Sequence, residues 1–200
     1  ADEYCNLTGS YALGVLTGKP VQWGGSLGRN EATGFGVAVT AREAAAKLGI
    51  NLRGAKVAVQ GFGNVGRYTV KNFIRLGGKV VAVAEWEPKN GTYAIYNEEG
   101  FSFEELESYW MQNANLLDFP GSKALALDKF WELDVDVMVP AALENAVDVR
   151  QAEAIRAKLV VEAANGPVTP AADAVLARRC ITVTPDILSN AGGVTVSYFE

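Results

Sequence analysis

The chain has 200 residues, enough for one ordinary domain or two small ones, and its 49% apolar and 20% charged residues indicate a globular protein with a sizeable core. Its 18 basic and 23 acidic residues give a formal charge of −5 with no basic block, which argues against nucleic-acid binding. The absence of histidine excludes histidine-dependent nucleophilic catalysis, imidazole proton shuttling and histidine-ligated metal within this chain.

The first fifty residues predict two helices joined by a glycine-rich connector. A loose helical pattern over 1–16 stops at the glycine and proline of 17–20. After the connector at 24–28, apolar residues recur at helical spacing over about 31–48. Gly49 fits the position just past the end of this second helix, where glycine is favoured.

A strand–helix–strand unit of about 30 residues follows. The apolar, β-branched run at 56–59 predicts a buried parallel strand, which leads into Gly61-Phe62-Gly63-Asn64-Val65-Gly66. A helix is expected from there to about Leu76, and a second buried strand over 79–84 ends at Glu85.

The rest of the chain continues the alternation of helices and strands. Asn90-Gly91 is a hairpin signal, after which 93–96 could pair at a sheet edge. Ser102 and Glu105 resemble a capping box that opens a helix towards residue 113. Further strands are expected at 135–140, 159–162 and 181–184, and further helices at about 148–157, 170–178 and 188–199.

This alternation predicts a Rossmann-like, doubly wound α/β domain over 1–200, with a mostly parallel sheet and helices on both faces. Its glycine turn fits G-x-G-x-x-G between a buried strand and a helix. In that reading Gly61 permits the tight turn, Gly63 admits a pyrophosphate, and Gly66 allows close packing of the helix. The helix N-terminus would then present free N–H groups to the phosphates.

Glu85 lies 19 residues after Gly66, about where a ribose-binding acid is expected. A carboxylate there would accept hydrogen bonds from the ribose hydroxyls and repel a 2′-phosphate, which favours NAD over NADP. Glu87 adds a second negative charge near this position and strengthens the expected preference for NAD, while the positive charge of Lys89 weakens that preference. Trp86 is either a surface aromatic or a wall for adenine. The alternative reading is a glycine-rich turn beside a solvated glutamate.

The two cysteines, Cys5 and Cys180, lie at opposite ends of the chain. They have no metal-ligand spacing and permit at most one disulfide, so we expect two buried thiols, no metal site and a reducing, cytoplasmic compartment. No apolar run approaches the roughly 18 residues of a membrane span, and the first residues do not follow a secretory signal, so we expect neither a membrane span nor a signal peptide. The chain begins without methionine, which suggests a piece of a longer protein.

Six motifs occur in order and belong together. They are Thr17-Gly18-Lys19-Pro20, the run 24–34 (GGSLGRNEATG), the turn 61–66, Pro140-Ala141-Ala142, Ala163-Ala164-Asn165-Gly166-Pro167, and the run 190–200 (NAGGVTVSYFE). Together they resemble the coenzyme-binding domain of hexameric glutamate dehydrogenases, within the amino-acid dehydrogenase family. The resemblance covers essentially the whole chain.

The resemblance implies roles for individual residues. Thr33 would contact the nicotinamide carboxamide, with Arg29 nearby. The pyrophosphate turn would carry Phe62, Asn64 and Val65, and the nicotinamide-ribose end would be lined by Ala141, Asn165 and Asn190. Thr17 and Ser197 would hold the distal carboxylate of glutamate, and Val194 would pack on its methylenes. A carboxylate also attracts a cation, and only Lys19 and Arg29 lie near these positions.

The resemblance further implies oxidative deamination of L-glutamate to 2-oxoglutarate and ammonia by a homohexameric parent. The family's catalytic lysine lies in a Gly-Gly-x-Lys-Gly-Gly segment and its aspartate in Pro-Ala-x-Asp, and neither segment occurs here. We therefore expect no catalytic residue in this chain, and NAD(H) binding without turnover. The alternatives are a non-catalytic nucleotide-binding module and the coenzyme domain of a dehydrogenase for an apolar amino acid.

Overall fold

The computed structural model describes residues 2–200 and contains one seven-stranded sheet. The strands are β1 (Lys56–Gln60), β2 (Lys79–Glu87), β3 (Gly91–Tyr96), β4 (Lys123–Leu125), β5 (Val137–Pro140), β6 (Leu159–Val161) and β7 (Thr182–Thr184). They lie in the order β4-β3-β2-β1-β5-β6-β7. Strands β2, β1, β5, β6 and β7 run parallel, while β3 and β4 are each antiparallel to the preceding strand. The predicted doubly wound α/β fold is confirmed.

Nine α-helices accompany the sheet in the part of the chain that the structure describes. They are α1 (Asp2–Thr8), α2 (Arg29–Lys47), α3 (Asn64–Arg75), α4 (Phe103–Asn113), α5 (Leu127–Trp131), α6 (Val149–Ala154), α7 (Pro170–Arg178), α8 (Asp186–Ser189) and α9 (Ala191–Tyr198). Short 3₁₀ turns at Leu13–Val15 and Val21–Trp23 precede α2. Over residues 2–200 no helix combines the length and apolar character needed to cross a membrane.

The sheet separates two hydrophobic cores, which explains why its central strands are apolar on both faces. In β1, Val57 and Val59 face the core that contains buried residues of α2, α3 and α4. Ala58 between them faces the opposite core, with Met138 of β5 and buried residues of α5, α6 and α7. All four side chains are fully buried. Successive side chains of a strand therefore pack alternately into the two cores.

Helix α2 carries much of the packing that shapes the functional end of the molecule. A Cβ atom added at Gly34 would lie 2.6 Å from the backbone nitrogen of Thr69 in α3. A Cβ atom at Gly192 would overlap the carbonyl oxygen of Ala32 and lie 3.0 Å from its carbon. Bare glycine at both positions lets α3 and α9 approach the same helix closely.

Several details differ from the sequence predictions. The first helix, expected over 1–16, ends at Thr8, because Gly9 follows it with a φ of 65° and breaks the helical path. Strand β2 continues through Glu87 because it pairs with β3, with Glu85 opposite Tyr93. Strand β3 is not at the edge of the sheet, since β4 pairs with its outer side. The helix expected over 188–199 is two helices, α8 and α9, that meet at Asn190.

The prediction that both cysteines are buried is wrong. Cys5 is half-buried, and its sulfur accepts the N–H of Ala12 at 3.4 Å. Cys180 is exposed and has a φ of 55°, because it makes the reversal after α7 at the surface. Both thiols are free.

Candidate functional site

A cleft lies at the carboxyl ends of the central parallel strands. The chain leaves β1 towards β2 on one side and later returns to β5 on the other, and such a switch in strand order opens a crevice beyond the strand ends. Two adjoining hollows of about 540 and 530 Å³ occupy this position. Both are lined by Val65 and by the 141–144 segment that follows β5, so they form the two halves of one cleft.

The glycine turn lines the 540 Å³ hollow through Gly61 and Gly63, and each of its glycines has a distinct environment. Gly61 has a φ of 99°, and a Cβ atom there would lie 2.9 Å from the carbonyl oxygen of Ala141. A Cβ atom at Gly66 would overlap the carbonyl oxygen of Gly61 and lie 2.6 Å from its carbon. A Cβ atom at Gly63 would meet nothing within 4 Å. The turn is tightly packed beneath Gly61 and Gly66, and open above Gly63.

Helix α3 begins immediately after Gly63, so its first N–H groups lie beside the open part of the turn. These groups have no partner within the helix and carry its positive dipole end, which suits an anion. The amide of Asn64 donates to the carbonyl oxygen of Asn30 at 3.0 Å and so ties the turn to α2. Phe62 contributes only backbone to the turn, because its ring is fully buried and packs edge-on against Trp110.

Glu85 connects the end of β2 to the glycine turn. Its Oε2 accepts the N–H of Phe62, and its Oε1 accepts the N–H of Trp86 at 2.8 Å. The carboxylate is half-buried and lines the 540 Å³ hollow beside Trp86, which is 61% exposed. Glu87 points elsewhere and accepts the N–H of Asn90 in the β2–β3 turn.

Gln60 lines the same hollow and was missed in the sequence reading. Its Oε1 is buried and has no hydrogen-bond partner among the described residues. Its neighbours across the sheet are Ala84 and Pro140. The signal was a polar residue ending an otherwise apolar strand.

The 530 Å³ hollow brings together four polar side chains from three distant segments. Its lining includes Arg29 and Thr33 from α2, Asn165 after β6, and Asn190 between α8 and α9. The amide of Asn190 donates to Oδ1 of Asn165 at 2.8 Å and to the carbonyl oxygen of Ala164 at 3.4 Å. The other predicted residues that line this hollow are Val65, Ala141 and Val194.

Arg29 lines this hollow and also contacts Ser197, which does not line it. Arg29 Nε donates to Ser197 Oγ at 2.7 Å, across 168 residues of sequence. Gly193 permits this approach, since a Cβ atom there would overlap Thr33 Oγ1 and lie 3.2 Å from an Arg29 nitrogen. The cation that a bound carboxylate requires is thus beside the predicted serine.

Four of the predicted residues line neither hollow: Thr17, Phe62, Gly66 and Ser197. Thr17 lies furthest from the predicted arrangement, because it makes none of the contacts described above. It is exposed, and its neighbour Gly18 donates its N–H to Glu200 Oε2 at 2.7 Å. Lys19 Nζ lies 3.2 Å from the same oxygen. This brings the 17–19 segment to the end of α9, one turn after Ser197.

Two carboxylates near the cleft were also missed by sequence reasoning. Burial opposes ionisation of Glu200, but the N–H of Ser26, the Lys19 ammonium and the N–H of Gly18 outweigh it and lower its pKa. At Glu162, burial raises the pKa above its ordinary value, although two backbone N–H groups oppose that shift. For Glu162, the available sequence signal was an acid at the end of a buried apolar run.

Within residues 2–200, acidic and cysteine side chains form no group of three suited to a metal ion.

Comparisons with known proteins agree with this architecture. A family model described as glutamate/leucine/phenylalanine/valine dehydrogenase matches residues 24–200. The chain is 63% identical over 199 residues to the NAD-specific glutamate dehydrogenase of Clostridioides difficile, covering 100% of this chain and 47% of that protein. It therefore spans about half the length of the curated relatives it matches.

Solved structures show the same likeness. The glutamate dehydrogenase of Peptoniphilus asaccharolyticus superposes with a TM-score of 0.83 at 53% identity, covering 99% of this chain and 45% of that one. The hetero-hexameric glutamate dehydrogenase of Thermus thermophilus, in its leucine-bound form, gives a TM-score of 0.87 at 38% identity, covering 98% and 45% respectively.

Proposed function

The chain belongs to the glutamate/leucine/phenylalanine/valine dehydrogenase family, and on that basis we propose that residues 1–200 are the coenzyme-binding domain of an NAD-dependent glutamate dehydrogenase. One observation carries the proposal most directly. The glycine turn, the start of α3 and Glu85 converge on a cleft at the switch point of a doubly wound sheet. This is where dinucleotides bind in such folds.

The residues present fit a dinucleotide. The open space above Gly63 would admit a pyrophosphate against the backbone N–H groups that open α3. Ala84, Ala141 and Trp86 offer flat and apolar walls for a base, and the unpartnered oxygen of Gln60 lies on the same hollow. When bound, NAD supplies the hydride acceptor, and the chain's own residues orient it.

Glu85 supports NAD over NADP. Its two oxygens each hold one backbone N–H, and an ionised carboxylate has about four lone-pair sites, so acceptor capacity remains for ribose hydroxyls. The negative charge at that position would repel a 2′-phosphate. The relative from Clostridioides difficile is named NAD-specific, which agrees with this preference.

The nicotinamide would occupy the other half of the cleft. Thr33, Asn165 and Asn190 present a hydroxyl and two amides there, the donor types that can fix the carboxamide and thereby the exposed ring face. Ala141 and Val65, shared by both hollows, would lie along the intervening ribose and pyrophosphate.

Beyond the nicotinamide, Arg29 and Ser197 favour a substrate with a distal carboxylate. Their hydrogen-bonded pair at 2.7 Å offers one cation and one hydroxyl beside Val194. An apolar amino acid would offer no counter-charge to this guanidinium, whose bond to Ser197 is to a neutral hydroxyl. This disfavours the alternative of a dehydrogenase for apolar amino acids. Thr17 would adjoin this pocket through the 17–19 segment, which contacts Glu200 just after Ser197.

We propose that the acid–base residues and the remaining substrate contacts lie in other parts of the parent enzyme. This chain would bind NAD(H) and provide one wall of the cleft, without turnover by itself. The homohexameric state of the parent and its cytoplasmic location are also proposals. Of the neighbours, the Thermus thermophilus enzyme is described as hetero-hexameric.

Titration of this chain with NADH and NADPH tests the proposal. Energy transfer from tryptophan to the reduced nicotinamide reports binding, and Trp86 lies on the cleft. We expect saturable NADH binding, weaker NADPH binding and no glutamate oxidation. ADP-ribose should compete with NADH. An absence of NADH binding at millimolar concentration would contradict the cofactor assignment, and robust glutamate oxidation would contradict the assignment of chemistry to other parts of the enzyme.

A further inference from the structure

Glu162 holds two separate segments with one buried side chain. It follows β6, is 8% exposed, and accepts the N–H of Val168 through Oε1 at 3.2 Å. Its Oε2 accepts the N–H of Asp186, the first residue of α8, at 2.9 Å. The carboxylate thus joins the turn after β6 to a helix that begins 24 residues later.

Asp186 makes a second hydrogen-bonded link to the same turn. Its Oδ2 accepts the N–H of Gly166 at 2.8 Å, and its Oδ1 accepts the N–H of Ile187 at 2.7 Å. Glu162 and Asp186, hereafter the carboxylate clamp, therefore hold the end of β6, the 165–168 turn and the start of α8 against each other. Helix α8 has only four residues and is too short to be stable without such contacts.

The segments held by the clamp carry the two amides of the cleft. Asn165 lies in the clamped turn, and Asn190 follows α8 directly. Their side chains share a hydrogen bond of 2.8 Å and both line the 530 Å³ hollow. Neither Glu162 nor Asp186 lines either hollow. Any effect of the clamp on a ligand must therefore pass through the held segments.

We propose that Glu162 is a positioning residue that fixes the Asn165–Asn190 pair for the nicotinamide end of the cofactor. This inference rests on the proposed function. The inference goes beyond the proposed function, because it assigns the geometry of one half of the cleft to a carboxylate that does not touch the ligand. The adenosine half, built on the glycine turn and Glu85, has its own support and is independent of the clamp.

The charge on Glu162 allows its positioning role to be tested with little effect on the global stability of the fold. Burial raises its pKa, and the nearby carboxylates of Asp186 and Asp173 act in the same direction, against the two accepted N–H groups. Its ionised form is therefore costly in the fold. Glu162→Gln removes that cost while it replaces one acceptor oxygen by a donor, which faces a backbone N–H. We expect local loosening of the clamp with little loss of overall stability.

The test compares NADH with ADP-ribose, which lacks the nicotinamide. In Glu162→Gln we expect NADH affinity to fall about fivefold or more, the size of one lost ordinary hydrogen bond, and ADP-ribose affinity to change less than twofold. Glu153→Gln on the exposed face of α6 is the matched control and should leave both unchanged. Asp186→Asn, which weakens the second half of the clamp, should reproduce the pattern and serves if the first variant folds poorly.

Amide hydrogen exchange without cofactor gives a second readout. Faster exchange confined to 165–168 and 186–190 in Glu162→Gln is expected. Equal losses for NADH and ADP-ribose, unchanged NADH affinity, or unchanged exchange in these segments would each overturn the inference. If the native chain binds ADP-ribose and NADH equally poorly, the proposed function fails first, and the inference fails with it.

Discussion

Gly63 and Gly66 lie three residues apart in the same turn, and the structure predicts opposite consequences for replacing each by alanine. At Gly66 the new Cβ would overlap the carbonyl oxygen of Gly61 and lie 2.6 Å from its carbon. Both atoms are backbone, so the strain cannot be relieved by a change of side-chain rotamer. Overpacking of this kind costs typically 1–3 kcal/mol, and we expect about 3 kcal/mol for Gly66→Ala.

At Gly63 the new Cβ meets nothing within 4 Å, and the φ of −69° is accessible to alanine. Gly63→Ala should therefore change the free energy of unfolding by less than about 1 kcal/mol, since loss of flexibility in the unfolded chain offsets any small strain. The methyl group would nevertheless occupy the space through which a pyrophosphate approaches the turn. We expect its NADH affinity to fall at least about tenfold, equivalent to about 1.4 kcal/mol.

Thermal unfolding and NADH titration of the two variants separate these effects. For a chain of this size, about 3 kcal/mol corresponds to a fall in melting temperature of about 6–12 °C for Gly66→Ala. Gly63→Ala should melt near the native chain and bind poorly. A Gly63→Ala variant that binds NADH as the native chain does would refute placement of the pyrophosphate on this turn. A fully stable Gly66→Ala variant would refute the close-packing argument.

Two further predictions concern charge. Glu85→Gln should reduce the ratio of NADH affinity to NADPH affinity at least about tenfold, because two unit charges about 4 Å apart interact by about 1 kcal/mol in water and about 4 kcal/mol near a protein surface. Titration with both cofactors measures this ratio, and Glu98→Gln, at an exposed position, is the control. An unchanged ratio would exclude Glu85 as the ribose-binding acid. Glu200 has a pKa below its ordinary value in the fold, so its contribution to stability is present above the unfolded-state pKa and is lost as the pH falls through the folded-state pKa. Melting temperatures from pH 7 to pH 3 should show native and Glu200→Gln chains converging in acid, and a constant gap would contradict the role of the Lys19 and backbone contacts.

Local pattern was sufficient for most elements of this fold. The run at 56–59 became β1 and the range 170–178 became α7, because burial on both sheet faces and a proline-led helix leave short-range signatures. The family resemblance, carried by motifs spread over the whole chain, is confirmed by the match over residues 24–200. Errors arose where pairing is non-local: β3 lies inside the sheet because β4, three residues long, arrives from 123–125.

The amino-acid sequence by itself determined the fold class, the glycine turn and the family, since periodicity and motif order are properties of neighbouring residues. The tertiary structure alone decided which side chains share a site. The contact of Arg29 with Ser197 spans 168 residues, and that of Glu162 with the Asp186 N–H spans 24. Such contacts depend on the helix and strand packing that glycines such as Gly34 and Gly192 permit, and no local pattern encodes those distances.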